Sequence, residues 1–159
     1  MTDERLGQGL WSALRRLPPG GGVVFRHYGT PSDERRRLFK RVLRIARARR
    51  LVVVRAGATP MPGEMGVHGR RGRELVTWPA HDRREAVTAV GAGARVVFVS
   101  PLFATRSHPG AAPLPRYRAA AIARGLPLTA IALGGMDARR FRKVRDLGLA
   151  GYAGIDCWS

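Results

Sequence analysis

Residues 75–100 read LVTWPAHDRREAVTAVGAGARVVFVS. Two β-branched runs, Leu75 to Trp78 and Val96 to Ser100, flank a basic amphipathic segment from Arg83 to Val90. Asp82 stands just ahead of that segment, where a side-chain oxygen can accept from the unpaired amides of a first helical turn. Strand, capped helix, strand is the repeating unit of a parallel sheet with crossover helices.

Outward from this unit the same alternation continues. Further strands are expected at Val23 to Arg26, Leu51 to Val54, Met65 to His68, Leu128 to Leu133 and Tyr152 to Ile155. Helices are expected at Gln8 to Leu17, Asp33 to Arg49, Pro115 to Arg124 and Ala138 to Leu147. Ser32 is a second candidate N-cap. In the long helix Leu38, Val42, Ile45 and Arg49 recur at spacings of three and four, which places apolar residues on one face and arginines on the other. Gly125 and Gly148 stand where a left-handed helix cap leads into the next strand.

The stretch Arg55 to Glu64, broken by Gly57, Pro60, Pro62 and Gly63, is too short for a full crossover helix. No helix follows the last strand, and little precedes the first helix. A closed eight-stranded barrel usually needs ~200 residues or more, against 159 here. The expected fold is therefore α/β: a truncated, TIM-like (β/α)8 barrel of parallel strands, lacking most of the first strand and the last helix. An open seam would expose an edge that favours pairing, so a homodimer is expected.

With 159 residues and 45% hydrophobic content the chain buries one sizeable core, and one domain over residues 1–159 is expected. The single cysteine, Cys157, has no intrachain partner, which suits a reducing compartment. No apolar run approaches the ~18 to 20 residues that span a bilayer, and MTDERLGQG carries acids where a signal peptide needs apolar residues. The expectation is a cytoplasmic protein with no membrane partner. The net charge of +18 reflects arginines spread along every helix, with only Lys40 and Lys143 as lysines. Non-specific nucleic-acid binding at low salt follows from that charge.

In parallel α/β folds ligands bind at the carboxyl ends of the strands. Arg26 and His27 end or follow the first strand, Arg55 follows the second, His68 closes the third, His81 lies three residues past the fourth, and Ser100 closes the fifth, with His108 in the loop beyond. All four histidines thus map to one rim. None has metal-ligand spacing, and no metal site is expected. Leu133, Gly134, Gly135 and Met136 end a strand and open a helix, where glycine lets backbone amides approach an anion. Gly154 and Ile155 would complete a phosphate cradle after the last strand. Asp156 beside it would repel phosphate unless neutralised.

The string VVFVSPLFATRSHPGA at Val96 to Ala111 resembles the SPxFxTxS-type loop of the thiamine phosphate synthase and TenI family. GVH at Gly66 to His68, His81 ahead of Glu85 and Ala86, ALGGM at Ala132 to Met136 and GYAGI at Gly151 to Ile155 follow the family order. Met1, Thr2 and Asp3 look like the tail of the family's first strand. The resemblance implies a role in thiamine biosynthesis or salvage, with a phosphorylated thiamine precursor as ligand.

Synthases of this family join a pyrimidine methyl diphosphate to a thiazole phosphate with release of pyrophosphate, using Mg²⁺. Where the family has a Gln and a Lys, this chain has Val24 and Tyr28; where it has an Asn-Asp pair, this chain has Val54 and Arg55. The second metal carboxylate would fall among Gly69, Arg70, Arg71 and Gly72. Arginine cannot ligate Mg²⁺, so no cofactor is expected unless synthase activity survives. TenI-type relatives shift a proton on a thiazole carboxylate phosphate, using a histidine at the place of His81. The resemblance therefore assigns catalysis to His81, Ser100 and His108, substrate contacts to Arg26, Arg55, His68, Thr105 and Ser107, and phosphate contacts to Gly134, Gly135, Gly154 and Ile155. An inactive relative that binds a ligand or a partner for regulation is the alternative.

Overall fold

The valine-rich runs form strands because each can be buried on both faces, one against outer helices and one against the opposite strands. In the computed structural model, which describes residues 1–107 and 110–158, they are β1 (Gly22–Phe25), β2 (Val52–Ala56), β3 (Gly66–His68), β4 (Leu75–Ala80), β5 (Val96–Val99), β6 (Thr129–Ala132) and β7 (Gly151–Tyr152). All pair in parallel and in chain order, β1 to β7. The helices are α1 (Gly9–Arg16), α2 (Ser32–Ala48), α3 (Arg83–Gly91), α4 (Arg116–Ala123) and α5 (Ala138–Arg142). This is the expected truncated TIM-like fold.

Period-two alternation divides the core. Val24, Val54, Ala56 and Phe98 face inward and meet Ile131 and Ala153, so β1 and the chain beyond β7 share one interior. Val23, Phe25 and Val53 face outward against Leu10, Leu14, Phe39 and Val42 of α1 and α2. Val97, Val99 and Ala130 pack outward against Ala86, Ala119 and Ile122 of α3 and α4. The seam between β1 and β7 is bridged by the first two residues. The Thr2 amide donates to Val24 O at 2.9 Å, and the Met1 nitrogen to Gly154 O at 2.8 Å.

Three local expectations change. Pro31, with φ −53°, is the cap position of α2, and Ser32 is already its first helical residue. The last helix ends at Arg142 because Lys143 and Val144 bond back only three residues, to Arg140 and Phe141, and a separate 3₁₀ turn covers Arg145–Leu147. β7 ends at Tyr152, after which the chain turns to form a wall of the cavity described below. Asp82 does cap α3, accepting from Glu85 N at 2.8 Å. The β2–β3 connection lacks a helix, as its prolines and glycines required, and so does the β3–β4 connection.

Close approach makes one glycine obligatory. A Cβ on Gly66 would lie 2.0 Å from Leu75 O, so β3 and β4 pair at this register only because position 66 has no side chain.

Candidate functional site

β4 runs two residues beyond Trp78, so His81 directly follows the strand and precedes α3. Glu85, one helical turn on, reaches back: its Oε2 accepts from the His81 amide at 2.7 Å and lies 2.9 Å from Nδ1. The carboxylate thereby selects the tautomer with Nδ1 protonated and leaves Nε2 as the proton acceptor. Glu85 stands in the first turn of α3, three residues past the Asp82 cap, and from there its side chain reaches back to the residue before the cap.

His81 lines a cavity of about 520 Å³ at the carboxyl ends of β4 to β7. Arg26, Ser100, Thr105, Ser107, Gly134, Gly135, Gly154 and Ile155 line it too. The turn after β6 is held by the loop after β5, with Leu102 N donating to Leu133 O and Phe103 N to Gly134 O. Gly134 and Gly135 have φ of 88° and 58°, and a Cβ on Gly135 would come within 2.3 Å of Ala104 O. The glycines are thus required for packing as well as for access. Among the described residues, neither of their amides has a backbone acceptor.

The hydroxyls of the β5 loop are engaged. Ser107 Oγ accepts from Arg5 Nη2 at 3.0 Å, and Thr105 Oγ1 from Ser107 N at 3.3 Å. Arg106 pairs with Asp156 at 2.9 Å, both at the cavity edge. Asp137 caps α5 through Arg140 N at 2.7 Å, and Arg140 donates to Gly135 O. Arg106, Asp137 and Arg140 line the cavity but stand out by no sequence pattern. Arg26 lies 5.8 Å from the Tyr28 ring, and among the described residues it has no ion-pair partner.

Two residues lie apart from this cavity. Arg55 points outward from β2, as Val53 does, and is buried against Glu64: Nη2 bonds Oε1 at 2.9 Å and Nε bonds Oε2 at 2.5 Å. Burial by itself would raise the Glu64 carboxyl, but its bonds from Arg55 and the Met61 amide outweigh that and hold it below the usual range. His68 points inward, its Nδ1 2.9 Å from Thr77 Oγ1 and its ring edge-on to Phe98. Burial, reinforced by Arg26, pushes it down to about 4. His27 is likewise buried and lowered, with Nδ1 2.9 Å from Thr2 Oγ1. Arg35, with no sequence signal, donates to His27 O, Arg26 O and Ala56 O and ties the ends of β1 and β2 together. His108 lies outside the described residues.

At the positions that the resemblance assigns to a divalent cation, the donor set does not fit one. Among the described residues no three His, Cys, Asp or Glu side chains group as metal ligands. Arg55, within β2, is paired with Glu64 at one of the positions that the resemblance assigns to the metal machinery. Hard oxygen donors, which Mg²⁺ demands, are missing from the positions that the resemblance assigns to them.

The family model described as thiamine monophosphate synthase matches residues 43–157. The chain belongs to that family. No curated protein matches. Among solved structures, the thiamine phosphate pyrophosphorylase from Pyrococcus furiosus superposes with a TM-score of 0.80 at 16% identity, covering 97% of this chain and 82% of that one. A structure described as native KDPGal gives 0.62 at 14% identity, covering 98% and 78%. These likenesses show that the family member keeps the family fold. Among the described residues no helix is long and apolar enough to cross a membrane.

Proposed function

We propose that this family member binds a thiazole or pyrimidine phosphate of thiamine biosynthesis or salvage and acts on it without a metal, as a thiazole tautomerase. The observation that carries the reading is His81, oriented by Glu85 and lining the same cavity as the Gly134–Gly135 turn. A tautomerisation needs one group to take a proton from a ring carbon and return it to another atom of the same molecule. With Nδ1 engaged by Glu85, His81 Nε2 is the atom we assign to both transfers, and Glu85 would stabilise the imidazolium formed between them. The amides of Gly134 and Gly135, which have no acceptor among the described residues, and Arg26 on the same cavity supply the phosphate anchor.

Arginine at position 55 and among residues 69–72, where the resemblance places the Mg²⁺ carboxylates, supports proton transfer over diphosphate displacement, whose leaving group a cation would neutralise. The test is conversion of a thiazole carboxylate phosphate followed by NMR in the presence of EDTA. His81→Ala is expected to lower turnover by roughly 10² to 10⁴-fold, the usual contribution of a general acid–base group. Unchanged turnover would refute the role of His81. Binding of the phosphate with no turnover in the unsubstituted protein would favour a ligand-binding, regulatory relative instead.

A further inference from the structure

Asp156 follows the Gly154–Ile155 wall directly and lines the same cavity as the Gly134–Gly135 turn. A carboxylate there opposes the entry of a phosphate. In the structure it is neutralised by Arg106, on the loop after β5, with Nη2 2.9 Å from Oδ2. The two residues come from segments 50 positions apart, and their side chains are 80% and 44% exposed. So wet a pair is held weakly and opens readily. A guanidinium prefers two parallel oxygens, and a phosphate offers them with greater charge than one carboxylate oxygen does.

We infer that the Arg106–Asp156 pair is a ligand-operated latch, in which an incoming phosphoryl group takes Arg106 from Asp156. The inference rests on the proposed phosphate site and adds the pair of residues that sets its affinity. Asp156 acts as an internal competitor: it keeps the cavity edge neutral when empty, and its displacement makes binding weaker than the arginine alone would allow. Ligands without an anionic group have nothing to offer Arg106 and leave the latch shut. Discrimination between a thiazole phosphate and the corresponding alcohol therefore resides at this edge as well as at the glycine turn.

The test is calorimetric titration of the full chain with a thiazole phosphate, the unphosphorylated thiazole alcohol and inorganic phosphate. Asp156→Asn and Asp156→Ser are expected to tighten the two phosphate probes by about tenfold, and Arg106→Gln to weaken them by about tenfold, the size of one charge-assisted hydrogen bond. Affinity for the alcohol should stay the same in all four proteins. Tight binding by the unsubstituted protein with no change in the Asp156 variants overturns the latch and leaves the proposed phosphate site standing. Phosphate binding that appears only in the Asp156 variants supports the latch. If no form of the protein binds either phosphate probe, the site and the latch fall together.

Discussion

Removing the Glu64 carboxylate strands a buried cation, and the consequence can be sized. The Arg55 side chain is 5% exposed and Glu64 21%. Glu64 is the acceptor for both Arg55 Nε and Nη2, and also for the Met61 amide at 2.9 Å. Breaking a buried pair by deleting one partner costs about 3 to 5 kcal/mol, and the partial exposure of Glu64 places Glu64→Ala near 3 kcal/mol. In a chain of this length that lowers the melting temperature by about 6 to 12 °C. Replacing both partners, as in Arg55→Met with Glu64→Leu, should recover most of the loss, because apolar residues of similar volume carry no desolvation penalty. Differential scanning calorimetry on the single and double variants measures the coupling directly. Glu64→Ala within about 2 °C of the unsubstituted protein, or a double variant as unstable as the single, would refute the reasoning. Acid gives an independent check. Glu64 titrates below its unfolded value. Its contribution is therefore present above the unfolded carboxylate pKa of about 4.3 and disappears as pH falls through the lower folded value.

Other outcomes follow from the same structure. His68 has a folded pKa of about 4, below an unfolded value of about 6.5, so its neutral form contributes about 3 kcal/mol above pH 6.5, lost as pH falls toward 4; an NMR titration midpoint near 6.5 would contradict this. Gly66→Ala should prevent native folding, since its Cβ would meet Leu75 O at 2.0 Å, and a normal circular-dichroism melt would overturn that. Phe25→Ala should cost about 3 to 5 kcal/mol by chemical denaturation, because Phe25 is fully buried against Phe39. With its net charge of +18 the chain should bind duplex DNA without sequence preference, log K falling linearly with log salt; an affinity that is flat in salt would exclude a phosphate-neutralising contact.

Most strands and helices were legible because they are β-branched runs or segments with a start or stop signal, such as Asp82 ahead of α3. The rim was legible from the ends of the apolar runs, after which His81, Ser100 and the Gly134–Gly135 turn come to one cavity. Strand periodicity separates Arg55 from that rim: odd positions of β2 face the helices, and a residue after an apolar run is not always at the mouth. Its partner Glu64 lies across a proline- and glycine-rich loop whose path no local pattern specifies. The early end of α5 was hidden for a related reason, since it depends on hydrogen bonds tightening at Lys143 and Val144 rather than on a breaker residue. The seam closed by Met1 and Thr2 turns on backbone acceptors, Gly154 O at the far end of the chain and Val24 O in β1, which side-chain sequence does not encode.

Because every strand pairs with its neighbour in sequence, assembly can proceed by accretion along the chain, with little loop-closure entropy at each addition. The bond from Met1 to Gly154, across 153 residues, is the exception. Gly154 and Ile155 are also cavity wall. An intermediate with β1 to β6 docked therefore lacks the Gly154–Ile155 wall of the cavity. Ligand binding adds its free energy to the closing step alone. It should slow the opening of the ring and leave the earlier steps of folding at their own pace.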